Sequence, residues 1–304
     1  MTASRAAVST ANKVLGSAKL PDFARILPPD AVFASAQKSG FLKCNRVEAT
    51  TVLSKIWKTT QLNLQMTYAM QQQQAASVAN ICAAHNFPPS NFTSLALLLQ
   101  QSSPAAIKSP LPNDLLSLAE LLNDPPAILK SAKSKISSSR SIPLLESTQI
   151  WKKLLYLANT SNIPEAHELI AETYQNAKSI QKAQEHWTKA ADAGSGKACL
   201  VMGRQAMIIG KNDVAIQAFE RAKELGEAEA YYELGILQMK DGEDKNDKTE
   251  KTEAEYNLSV AAASGISRAA VMLAELYKSR NDLIMSAQWE NLAKEMKAIE
   301  RDGP

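Results

Sequence analysis

A chain of 304 residues, 45% hydrophobic and 21% charged, is long enough for one large or two ordinary domains and has the polarity of a folded globular protein. A net charge of +3 makes no global case for nucleic acid. Three scattered cysteines, Cys44, Cys82 and Cys199, exclude a disulfide framework and read as free thiols of a reducing compartment.

Residues 1–43 form a basic, acid-poor tail. Up to Arg46 the chain carries Arg5, Lys13, Lys19, Arg25, Lys38, Lys43 and Arg46 against only Asp22 and Asp30, and residues 1–21 hold no acid and are rich in Ala, Ser and Thr. That is the composition of a mitochondrial transit peptide, without the apolar core of a secretory signal. It places the protein in mitochondria, in the matrix or peripheral to the inner membrane. The alternative is a cytoplasmic protein with a disordered basic tail.

Residues 44–126 read as an irregular helical region. Apolar positions such as Val47, Val52, Leu53, Ile56 and Trp57 run through 46–84, and Pro88 and Pro89 break the pattern. Ser90 then caps a short apolar helix at 95–99, and Asn113 or Asp114 caps another that ends at Leu122. The stretch 59–107 lacks Asp, Glu, Lys and Arg, but glutamines, asparagines and prolines interrupt it. No window of about 19 residues is apolar enough to span a bilayer.

Residues 127–144 are basic and serine-rich and read as a linker. Lys130, Lys133, Lys135, Arg140, Lys152 and Lys153, opposed only by Glu146, offer a contact for an anionic partner such as RNA or an acidic lipid surface. The run has little aromatic interleaving, and a solvated linker is the plainer reading.

From 145 to 300 the sequence repeats itself. Ala166, Ala198, Ala230 and Ala269 each begin a helix, and Ala171, Gly203, Gly235 and Ala274 follow five residues later. A second helix opens with Ala183, Ala215, Ala254 or Ala287. The bulky Trp187, Phe219 and Leu258 stand four residues into the first three, with Ala190, Ala222 and Ala261 beyond them. Gly194, Gly226 and Gly265 close the second helices, supplying the left-handed residue of a helix end. The offsets are 32, 32 and 39 residues, the last because residues 241–251 swell one inter-helix loop. Small residues are required where two helices cross at about 8–10 Å. The large ones are expected to fill the gap between neighbouring hairpins. Concordant periods of this kind are the signature of an all-α solenoid.

These columns resemble the Sel1-like repeat, a relative of the tetratricopeptide repeat, over residues 151 to about 298. A weaker early copy runs through Trp151, Leu155, Ala158 and Ala166, with Asn162 in the glycine column. The resemblance implies a right-handed superhelix of helical hairpins whose first helices line a concave, protein-binding groove. On the matching columns the groove residues are Glu168, Glu172, Leu200, Arg204, Tyr232, Ile236, Val271 and Glu275. Some tetratricopeptide domains clamp a partner's C-terminal carboxylate with Lys and Asn on these columns. Glu168, Leu200, Tyr232 and Val271 stand in the lysine column here, and Glu172, Arg204, Ile236 and Glu275 in the asparagine column, so that clamp is missing.

Catalytic and metal patterns fail one by one. Cys82 and His85 have helical spacing but no third ligand. Gly203 to Lys211 has the wrong glycine spacing for a phosphate loop and lacks the hydroxyl residue after the lysine. No cofactor or metal is expected, and no residue stands out as catalytic. The reading is therefore a non-catalytic adaptor that binds proteins, in mitochondria, where it would support assembly of respiratory-chain components. The alternatives are a cytosolic signalling or protein-quality-control adaptor, or a mitochondrial RNA-associated or translation factor.

Overall fold

The computed structural model describes residues 22–60, 68–102, 110–139, 141–245 and 248–301. Residues 1–21, on which the transit-peptide reading rests, lie outside them. The described residues are all-α, with no strand, and the chain divides into two compact units, residues 1–138 and 139–304.

The first unit contains α1 (Phe23–Ile26), α2 (Asp30–Lys38), α3 (Arg46–Thr60), α4 (Tyr68–Ala84), α5 (Ser90–Ser102), α6 (Leu111–Leu121) and α7 (Pro125–Ser138). One core of Phe23, Phe33, Leu53, Ile56, Phe92, Leu95, Leu99 and Leu115 holds it together. Phe23 meets Trp57 edge-on at 5.7 Å, a geometry that aromatic quadrupoles favour. A capping box starts α3. The Asn45 side chain accepts the Glu48 N–H at 2.8 Å, and the Glu48 carboxylate accepts the Asn45 N–H at 2.9 Å. Pro112 sits in the first turn of α6, so Asn113 and Asp114 lie inside that helix and do not cap it.

The expected linker is mostly a helix. Residues 125–138 form α7, which buries Ala127, Ile128 and Ala132, three apolar side chains spaced to share one helix face. Lys133 and Lys135 ride on its exposed side, and Lys130 donates to Gln100 Oε1 at 2.8 Å. The boundary between the units falls after this helix, not before it.

The second unit begins with α8 (Ile142–Glu146) and α9 (Gln149–Asn159). Four hairpins follow: α10 (Pro164–Asn176) with α11 (Ile180–Asp192), α12 (Gly196–Ile208) with α13 (Asn212–Glu224), α14 (Ala228–Lys245) with α15 (Lys248–Ala263), and α16 (Ser267–Ser279) with α17 (Leu283–Arg301). Each helix packs on the one before it and the one after it. Ala166, Ala198, Ala230 and Ala269 are fully buried, although each stands two residues inside its helix.

The large residues reach the first helix of their own hairpin, and Leu258 also joins a buried cluster with Ala269, Ala270 and Leu273 of the next hairpin. A Cβ placed on Gly203 of α12 would stand 2.6 Å from Phe219 Cδ1 of α13, and one on Gly235 of α14 would stand 2.7 Å from Leu258 Cγ of α15. Glycine on the first helix thus makes room for the bulky side chain that the second helix lays across it.

Two columns shift. In α17 the buried small residue is Ser286, at 4% exposure, while Ala287 is exposed. The serine hydroxyl is satisfied by the Ala274 carbonyl at 2.9 Å. The bulky column then falls on the exposed Glu290. In the early copy, Leu154 is buried and Leu155 only half so.

The described extra residues of the third repeat, 241–245 and 248–251, are helical and do not form a swollen loop. They lengthen α14 to 18 residues, against 13 for α10, α12 and α16, and α15 to 16 residues.

Left-handed residues close the helices at Asn162, Gly194, Gly226 and Gly265, as their columns require, and also at Lys178, Gly210 and Asn281 between the helices of a hairpin. The Ser179 N–H reaches back to Tyr174 O and the Lys178 N–H to Gln175 O, both at 2.9 Å, which is a Schellman closure. Lys178 holds φ +60°, a conformation that costs an L-residue about 1–2 kcal/mol. Lys178→Gly is expected to stabilise the chain by about 1 kcal/mol, read as a higher midpoint in urea. A lower midpoint would contradict the closure.

Candidate protein-binding face

The first helices of the hairpins, α10, α12, α14 and α16, are tied to one another by polar side chains. Ser195, the N-cap of α12, accepts the Ala198 N–H at 2.9 Å and donates to Glu168 Oε1 of α10 at 2.6 Å. Lys197 Nζ of α12 reaches Glu172 Oε1 at 2.6 Å and Glu168 Oε2 at 3.8 Å. Further along, Arg204 of α12 donates from Nε to Glu233 Oε1 of α14 at 2.7 Å and from Nη2 to Glu229. Glu229 is also 3.7 Å from Arg268 of α16, whose guanidinium lies 4.9 Å from the centre of the Tyr232 ring.

Electrostatics follow from this arrangement. Burial raises the Glu168 carboxyl above its ordinary range, while Ser195 and Lys197 oppose the rise. The hydrogen bond to Glu172 raises Lys197 despite partial burial. For Arg204, burial works against the charge, but the hydrogen bonds to Glu229 and Glu233 outweigh it and the net shift is upward. Ser195→Ala removes a cap and a partner of Glu168 together. The expected cost is about 1–2 kcal/mol, measured by thermal unfolding. An unchanged midpoint would show that the tie between α10 and α12 contributes nothing.

Of the eight groove residues expected from the columns, Glu168, Glu172 and Arg204 are members of this ladder. Tyr232, Ile236 and Val271 are half-buried, and Glu275 is exposed. Leu200 does not belong with them: at 5% exposure it is part of the packing between helices, out of a partner's reach. Column reading also passed over Lys197, Glu229 and Arg268, which carry the ladder. Each stands just before the buried alanine of its repeat, and with Glu165 they alternate in sign along the array. That alternation is the signal that marks them.

Cys44, Cys82 and His85 lie in the first unit. Burial pushes the Cys44 thiol up to about 12, helped by Glu48, and the Cys82 thiol up to about 11, so neither supplies a thiolate. Cys82 lines an open groove of about 610 Å³ in the first unit with Lys43, Phe87, Pro88 and Leu122. His85 Nε2 lies 2.7 Å from Lys55 Nζ. Among the described residues, no three metal-ligating side chains gather, and no helix is long and apolar enough to cross a membrane.

No family model matches the chain, and no curated protein matches it. Among solved structures it is similar to a Sel1 repeat protein from Oxalobacter formigenes, at 17% identity over 74% of this chain and 99% of that one, with a TM-score of 0.46. It is also similar to MamA, at 19% identity over 57% of this chain and 95% of that one, with a TM-score of 0.40. A third is the immunity protein Pa5087 from Pseudomonas aeruginosa, at 16% identity over 92% of this chain and 85% of that one, with a TM-score of 0.31. The Sel1-like, tetratricopeptide-like character of the second unit stands on its own hairpins and columns.

Proposed function

We propose that this chain is a non-catalytic scaffold that holds another protein along α10, α12, α14 and α16, and that it works in mitochondria, supporting the assembly of respiratory-chain components. The observation that carries the scaffold reading is the ladder itself. Four first helices are held side by side by Glu168, Lys197, Arg204, Glu229 and Arg268, and two of them, α14 and α16, present Tyr232 with Ile236 and Val271 with Glu275 at matched positions. A surface of half-buried apolar groups among ion pairs is suited to a polypeptide partner, which would cover the former and complement the latter. The protonated, buried thiols support a role without covalent chemistry. The mitochondrial address is supported by the acid-free composition of residues 1–21.

Position-specific photocrosslinking in cells tests the scaffold reading. A photoreactive residue at Tyr232, Ile236, Val271 or Glu275 of the full chain is expected to capture a protein partner, whereas one at Tyr256, exposed on the second helix α15, is not. Equal capture at Tyr256, or none at the four positions, would overturn it. The address is tested separately by import into isolated mitochondria with sequencing of the mature N-terminus. An intact Met1 or Thr2 in a cytosolic fraction refutes it.

A further inference from the structure

Between α10 and α11 the structure buries two histidines against each other. His167 is 2% exposed and His186 9%. Their Nδ1 atoms lie 3.0 Å apart, with ring centres 5.2 Å apart and planes at 43°. The Ala158 backbone of α9 favours the charged form of His167. With both rings neutral, one Nδ1 donates and the other accepts, so a single proton lies between them. On its far side His186 stacks on Tyr174 of α10 at 5.9 Å. The Tyr174 ring meets Trp151 of α9 edge-on, and its hydroxyl donates to Glu146 Oε1 of α8 at 2.7 Å.

We propose that this pair is a proton-operated latch: one N–H···N bond closes α10 on α11, with α9 packed on α10, while both rings are neutral, and an added proton opens that corner of the repeat unit while the later hairpins stay folded. The geometry leaves a second proton nowhere good to go. On the accepting Nδ1 it would point at the N–H of the other ring, setting two donors head-on. On either Nε2 it would place a cation on a ring no more than 9% exposed, where burial disfavours charge.

Charged groups around the pair do not rescue it. From α11, Lys189 disfavours the charged form of both rings and Glu185 favours it, but these two are paired with each other at 2.6 Å and face water. Lys182 Nζ, also of α11, sits 4.9 Å from the centre of the Tyr174 ring, and Glu146 of α8 is taken by the Tyr174 hydroxyl. From α9 come the Ala158 backbone and the Trp151 ring, neither of which titrates. Burial first, then Lys189, lowers His167 below the ordinary histidine value; burial, His167 and Lys189 push His186 down to about 4. Groups held below their open-state value bind more protons when exposed. The latch is therefore fully closed above pH 6.5 and weakens as pH falls from there towards 4.

The test uses the full chain, which has only three histidines, so their imidazole signals can be followed individually by NMR while hydrogen exchange is mapped by peptide. His167 and His186 are expected to titrate below 6.5. Protection of residues 149–192 is expected to fall on the order of a hundredfold between pH 7 and 4.5 relative to residues 212–301. The double variant His167→Leu/His186→Phe is expected to remove that difference. If that variant does not fold, the wild-type titration and exchange map decide alone. Imidazoles that titrate at 6.5 or above, or protection that falls equally across all four hairpins, would overturn the proposal.

Discussion

Replacing Gly203 with alanine is expected to destabilise the repeat unit by about 1–3 kcal/mol, although helix propensity alone favours alanine by about 1 kcal/mol. The two effects have opposite signs, so the measurement discriminates between them. Propensity is local to α12. The clash is tertiary, because the new methyl would stand 2.6 Å from Phe219 Cδ1, and Phe219 is fully buried with no room to retreat in a close-packed interior. Phe219→Ala on its own is expected to cost about 3–5 kcal/mol through the cavity it leaves. The double change Gly203→Ala/Phe219→Leu should cost less than the sum of its parts, with a coupling of about 0.5–3 kcal/mol. Urea unfolding followed by tryptophan fluorescence reads all of these. A Gly203→Ala protein more stable than wild type would show that α12 and α13 do not cross at this point.

Arg204→Met carries the second large effect. Exposed ion pairs contribute about 0.2–1 kcal/mol, whereas stripping the partner from a buried charge costs about 3–5 kcal/mol. The side chains of Arg204 and Glu233 are 36% and 8% exposed, so the pair lies between these limits, and a loss of about 2 kcal/mol is expected. The loss comes from the Glu233 carboxylate left in the packing without its cation. Adding Glu233→Gln to Arg204→Met should therefore recover most of it. Lys197→Met, whose partner Glu172 is 40% exposed, should cost less than 1 kcal/mol. If Arg204→Met and Lys197→Met proved equally mild, the ladder would be decoration.

Much of the second unit was legible because its constraints are steric and recur. An alanine at 166, 198, 230 and 269 is demanded by helix crossing, and a glycine or asparagine at 162, 194, 226 and 265 by a left-handed helix end, so both show as columns. Periodicity does not reveal every neighbour a large residue touches, and the contacts of Phe219 and Leu258 with the first helix of their own hairpins leave no mark in it. Ser286 was missed because Ala287 beside it fits the column by type, whereas a serine fits only where a carbonyl such as that of Ala274 accepts its hydroxyl. The helix α7 was hidden by its lysines and serines. Its stability comes from three small apolar contacts, at Ala127, Ile128 and Ala132, too few to dominate a composition. The insertion at 241–251 reads as loop by its charges, yet helices α14 and α15 run on into it.

The candidate face was half legible for a related reason. Column position points to Glu168, Glu172 and Arg204, but burial of Leu200 depends on what the neighbouring helix lays over it. Two histidines 19 residues apart carry no pattern at all; only the turn at Lys178 and Ser179 brings them together.

Distances between spin labels along the first helices test the stacking on which all this depends. Labels replacing Glu165, Lys197 and Arg268, all exposed and all one residue before a buried alanine, occupy the same place in the first, second and fourth repeats. The account predicts one narrow distance for each pair, shortest for 165 with 197, where helices pack at about 10 Å, and longest for 165 with 268. Broad distributions, or a 165–268 distance as short as the neighbouring one, would contradict a stack of hairpins.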